Sequence, residues 1–99
     1  MKTLFLIAAL VIAPFCTALA KDPGQCKKIS ELAGDAMKSR QDGELLENAI
    51  SAVGDGSKFS EGMVMKAYQV RVFADQAEKK AAIAEFKNGA YRECYEAHN

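Results

Sequence analysis

Apolar residues between Cys26 and Arg40 return in steps of three and four. Cys26, Ile29, Leu32, Ala33, Ala36 and Met37 share one helical face, extended by the aliphatic stem of Arg40. Lys27, Lys28, Glu31, Asp35 and Lys38 fall on the opposite, solvated face. Asp42-Gly43 stops the pattern, because glycine takes the left-handed C-cap conformation without steric cost. Ahead of this helix, Lys21-Asp22-Pro23-Gly24 reads as a short flexible leader. A second helix is predicted over 44–53, with Leu45, Leu46, Ala49, Ile50 and Val53 at helical spacing and acids in its first turn.

Gly54-Asp55-Gly56-Ser57 is turn chemistry and separates that helix from the next. Ser60 is the expected N-cap of helix three, with Phe59 stapling onto Val64. Met63, Val64, Ala67, Tyr68 and Val72 form its apolar side, although β-branched and aromatic residues in Val70-Arg71-Val72-Phe73 weaken a helix there. Asp75 and Glu78 have the spacing of a capping box and open the last helix, which carries Ala82, Ile83, Phe86, Ala90, Tyr91 and Cys94. Gly89 sits inside it at a cost of about 1 kcal/mol against alanine, which a close helix–helix crossing would explain. Strand-like alternation and internal repeats are absent. The expected fold is all-α, a small bundle of three to four helices.

The first twenty residues change what the cysteines mean. Lys2, the apolar run Leu4 to Ala13 and the small residues Ala18 and Ala20 have the layout of a secretory signal cut after Ala20. This gives a signal peptide at 1–20 and one small helical domain at 21–99. The run is short for a membrane span, so no membrane association is expected after cleavage. Phe15 before Cys16 is unlike the small residue that precedes a lipidated cysteine. Cys26 and Cys94 then remain in an oxidising compartment, where they are expected to pair. Closing nearly the whole domain into one loop is worth about 4 kcal/mol in the chain-entropy model. A domain this small needs such help. The bond would bring the first and last helices side by side, in a periplasmic or secreted protein.

Thirteen basic residues against thirteen acidic ones argue against nucleic acid, which requires a concentrated basic face. The one histidine, His98, is penultimate and cannot build a triad or a metal site alone. Oxidised cysteines offer no thiolate. Glu44 with Glu47 and Glu93 with Glu96 are spaced for acid and base work, but such pairs usually form a solvated helix face. Gly54-Asp55-Gly56-Ser57 lacks the distal glutamate and further oxygens of an EF-hand loop. No catalytic residue, metal or cofactor is therefore expected, and the chain is read as a non-enzyme.

Binding is the remaining class. Arg40, Gln41, Tyr68, Arg71 and Phe73 are the candidate partner-binding residues, since arginine and aromatic side chains anchor interfaces. The competing role puts Tyr68 and Phe73 in the core and Arg40 on the carbonyls at the end of its own helix. Tyr91 and Tyr95 flank Cys94, and at least one is expected to cover the disulfide. If the partner role holds, Arg40→Glu or Tyr68→Ala weakens binding without unfolding the domain.

Cys26, Ala36-Met37 with Arg40-Gln41 and Gly43, Ala67-Tyr68, Ile83, Phe86 and the closing Cys94 together resemble a group of small exported proteins. These occur in bacteria and their phages or prophages and have no assigned function. The group often has a proline shortly after Ala-Tyr, and Gln69 to Phe73 contains none. The resemblance implies an exported, disulfide-closed helical domain and transfers no catalytic residue. The leading expectation is a non-enzymatic module binding another protein, in the cell envelope if the phage link holds, as inhibitor, immunity factor or accessory subunit. The alternatives are a self-associating structural envelope protein and a carrier of small apolar ligands.

Overall fold

The computed structural model describes residues 23–97, which contain four helices: α1 (Pro23–Gln41), α2 (Leu46–Val53), α3 (Lys58–Ala67) and α4 (Gln76–Ala97). The described residues hold no strand. The signal expected at 1–20, with its expected cleavage residues Ala18 and Ala20, and Cys16 and His98 lie outside them.

The long α1 is the central element. The extensive packing of α4 is along α1, while α3 packs on both α1 and α2. Cys26, in the first turn of α1, is bonded to Cys94, in the last turns of α4, with 5.5 Å between their Cα atoms. At the other end Lys79 Nζ, in the first turn of α4, donates to the carbonyl of Gln41 at 2.8 Å. The two helices are therefore antiparallel and tied at both ends.

The buried centre is made of small side chains. Ala36, Met37, Ala49, Val64 and Ala67 form it, with Leu46, Ile50, Met63, Ile83 and Phe86 packed around them. Alanines let helices approach closely but bury little area each, and the covalent tie adds about 4 kcal/mol in the chain-entropy model to what this small core supplies. Gly34 marks a close contact between α1 and a side chain of α4. A Cβ there would lie 2.7 Å from Lys87 Cδ and 2.9 Å from its Cγ, so the stem of Lys87 crosses α1 where a side chain is missing.

Several boundaries differ from the expectation. Pro23 and Gly24, expected in the leader, lie in the first turn of α1, where the missing N–H of proline costs nothing. α2 begins at Leu46, with Leu45 as its N-cap, so Glu44 lies outside it. The N-cap of α3 is Ser57, whose side chain accepts the Ser60 N–H at 3.1 Å. Ser60 instead lies one turn inside the helix and is buried. Its hydroxyl donates to the Ser57 carbonyl at 3.0 Å and accepts the Asp55 N–H at 3.1 Å. Phe59 consequently sits within the first turn of α3, not ahead of it as a staple, and points largely to solvent. α3 ends at Ala67, leaving Val72 exposed in the link to α4. Gly43 has the positive φ of 83° expected at the end of α1. Gly89 is at no close crossing: a Cβ there would meet only Arg92, at 4.0 Å.

Candidate functional site

The five candidate residues do come together, as a clasp at the C-terminal end of α1. Residues 68–75 cross that end without regular structure, so their backbone groups need partners from elsewhere. Arg40 Nε donates to the Val70 carbonyl at 2.7 Å. Gln41 Nε2 donates to the Arg71 carbonyl at 2.9 Å, and Gln41 Oε1 accepts the Phe73 N–H at 3.0 Å. Gln41 is 2 % exposed, so these bonds are made away from water. The Arg40 guanidinium stands 5.2 Å from the Tyr68 ring centroid, and the Tyr68 hydroxyl donates to the Glu44 carbonyl at 2.8 Å. Burial pushes the Tyr68 hydroxyl pKa up, with the Glu44 charge adding to the rise and Arg40 opposing it. The Arg71 guanidinium lies 4.5 Å from the Phe73 ring centroid.

This arrangement holds the chain where α1, α2 and the link before α4 meet. Arg40 reaches a carbonyl across the link, not one at the end of its own helix. Tyr68 and Phe73 are half-buried against these arginines. The pairing of Arg40-Gln41 with Ala67-Tyr68 in the sequence is accounted for here by backbone satisfaction.

A second feature was not singled out from the sequence. α3 and α4 each pack on α1 but diverge from one another, leaving an open groove of about 910 Å³ between them. One wall is Lys58, Phe59, Gly62, Met63, Met65 and Lys66 of α3, with Gln69 just beyond its end. The other is Glu85, Phe86, Gly89, Ala90, Glu93, Cys94 and Ala97 of α4, with Ile29 of α1 between them. The lining is mainly apolar, and Phe59 and Met65 keep 56 % and 49 % of their surface exposed. Lys66 Nζ and a Glu93 carboxylate oxygen, 3.6 Å apart, face one another across the gap. Both side chains are mostly solvated, so this pair holds the walls together weakly, by at most about 1 kcal/mol.

Two mid-helix glycines line the groove, one on each wall. A Cβ at Gly62 would meet nothing within 4 Å, so no packing inside the described residues requires that glycine; Gly89 is nearly as open. Neither these two glycines nor Phe59 and Met65 announce the groove along the sequence, because each is an ordinary helix position until α3 and α4 stand side by side.

The other polar features are structural. Asp55 Oδ1 accepts the Ser57 N–H at 2.9 Å, and the Ser57 and Ser60 bonds hold its pKa down to about 2. Lys38 forms an exposed ion pair with Asp42 at 2.9 Å, and that bond raises the lysine pKa. No group of three or more metal-ligating side chains occurs among the described residues. Tyr91 and Tyr95 remain substantially exposed beside a disulfide whose two cysteines are buried. Compared with known proteins, the chain matches no family model, no curated protein and no solved structure.

Proposed function

We propose that this protein is an exported, non-enzymatic module that acts by binding another polypeptide, with the α3/α4 groove as its docking surface. The observation that carries this reading is the groove itself. A fold with few large buried side chains leaves Phe59 and Met65 exposed beside an apolar trough. Exposed apolar surface costs solubility and is retained where a partner covers it. Grooves between helices are a recurring mode of peptide recognition. The Cys26–Cys94 bond supports export, because structural disulfides persist in oxidising compartments. A role as inhibitor, immunity factor or accessory subunit follows by elimination from a small, stapled, near-neutral domain without catalytic groups, and the resemblance noted above supplies only the bacterial or phage setting.

The test is capture from periplasmic extract on the immobilised oxidised protein, followed by titration of the purified partner. Gly89→Leu, which fills the groove from an open position, should abolish binding of that partner while leaving the helical circular dichroism unchanged. A captured protein that binds Gly89→Leu equally well sinks the assignment of the groove. A second reading, carriage of a small apolar ligand, is favoured by the groove volume, which falls within the range of ligand pockets. Native mass spectrometry of freshly purified protein tests it, and a clean apo mass disposes of it.

A further inference from the structure

We infer that the occupant of the α3/α4 groove is an amphipathic helix with flanks of opposite charge, acidic along α3 and basic along α4. This rests on the docking reading above and specifies the partner. The α3 wall presents Lys58 and Lys66, and the α4 wall presents Glu85 and Glu93. The walls therefore differ in sign, and an incoming helix must part the weak, solvated Lys66–Glu93 pair and offer each member a new partner. A segment with acids on both flanks, or bases on both, is attracted by one wall and repelled by the other. A segment with one flank of each sign meets an opposite charge on both sides, in one direction along the groove only. The charges thus select a flank pattern and fix the polarity of the bound chain.

The dimensions fit a short helix. Glu85 to Ala97 is twelve residues of rise along α4, about 18 Å or three helical turns. Gly62 and Gly89, on opposing walls, have open space where a Cβ would stand, so large side chains of an incoming helix can approach the two backbones. Among the described residues, a second copy offers no exposed apolar stripe three turns long to fill the groove. The apolar stripes of α1 and α2 are turned into the core, and groove laid against groove meets concave surface with concave surface.

The probes are three synthetic fourteen-residue helical peptides sharing one leucine stripe: Glu on one flank and Lys on the other, Glu on both, or Lys on both. Binding to the oxidised protein is followed by fluorescence anisotropy. The mixed-flank peptide should bind about tenfold more tightly than either single-sign peptide at low salt, the advantage shrinking as salt screens it. In the variant Glu85→Lys with Glu93→Lys, both walls become basic and preference should pass to the all-Glu peptide. These substitutions are on exposed side chains and leave the core intact. Equal affinity for all three peptides, abolished by Gly89→Leu, overturns the charge pattern while the docking reading stands. Failure of every peptide to bind overturns the helical occupant, even if a folded partner is captured. Concentration-dependent dimerisation in sedimentation that Gly89→Leu abolishes also overturns it, because the occupant is then a second copy.

Discussion

The carboxamide of Gln41 pairs with the backbone around Phe73 as a neighbouring peptide unit would. Its Nε2 donates to the Arg71 carbonyl at 2.9 Å and its Oε1 accepts the Phe73 N–H at 3.0 Å. One buried side chain thereby satisfies two groups of a link that has no ladder or helix of its own. The link's path over the end of α1 sets where α4 begins, and so where one wall of the groove stands.

Replacing this carboxamide tests the clasp. Gln41→Leu keeps the bulk and leaves an N–H and a carbonyl without partners, which should cost about 2–4 kcal/mol. Gln41→Glu sets a buried carboxylate against the Arg71 carbonyl, so it should cost at least as much near neutral pH and recover at low pH, where the protonated acid can donate. Urea denaturation of both variants, with unchanged m-value, checks the order.

Arg40 also has a structural task. Arg40→Glu removes the bond to the Val70 carbonyl and the stacking on Tyr68, so a loss of about 1–3 kcal/mol should accompany any effect on a partner. Tyr68→Phe keeps the ring and loses only the bond to the Glu44 carbonyl, for about 1 kcal/mol. A thermal melt distinguishes them. An unaltered midpoint for Arg40→Glu would free this residue for the partner role the sequence suggests.

The disulfide should resist alkylation in the oxidised protein, and the intact mass should stay that of the unmodified chain. Cys26→Ser with Cys94→Ser should lower stability by about 4 kcal/mol, since the bond closes a loop spanning 68 residues of sequence separation. Because α4 packs chiefly on α1, the loss should appear first as amide exchange in the last turns of α4, beside the groove.

Gly34 and the groove glycines should respond in opposite ways. Gly62→Ala and Gly89→Ala add helix propensity in open space and should each stabilise the fold by about 0.5–1 kcal/mol. Gly34→Leu must displace the Lys87 stem from the surface of α1, at about 1–3 kcal/mol. Chemical denaturation of the three variants reads the signs directly.

Asp55 gives a pH signature. Its folded pKa of about 2 lies below the ordinary carboxylate value, so its contribution is complete at neutral pH and lost as pH falls from about 4 towards 2. Asp55→Asn should flatten the pH dependence of stability in that window and leave it unchanged above pH 5. A variant with the same acid limb as the parent would remove Asp55 from the cap.

The sequence by itself determined the helices and the staple. The three-and-four spacing from Cys26 to Arg40, the stop at Gly43 and the paired cysteines at the domain's ends are local or combinatorial signals, and the structure has all of them. Local rules left close alternatives elsewhere. Ser57 and Ser60 are both acceptable caps, and burial of the Ser60 hydroxyl between Ser57 and Asp55 decided between them. Gly89 looked like a crossing, yet the close approach fell at Gly34, because Lys87 of α4 meets α1 there. Arg40 and Gln41 find their carbonyls thirty residues away, a match that periodicity does not encode. The groove was decided by tertiary structure alone. It exists because α3 and α4 share α1 as a support and diverge from one another, and an empty space between two elements has no residue of its own to announce it.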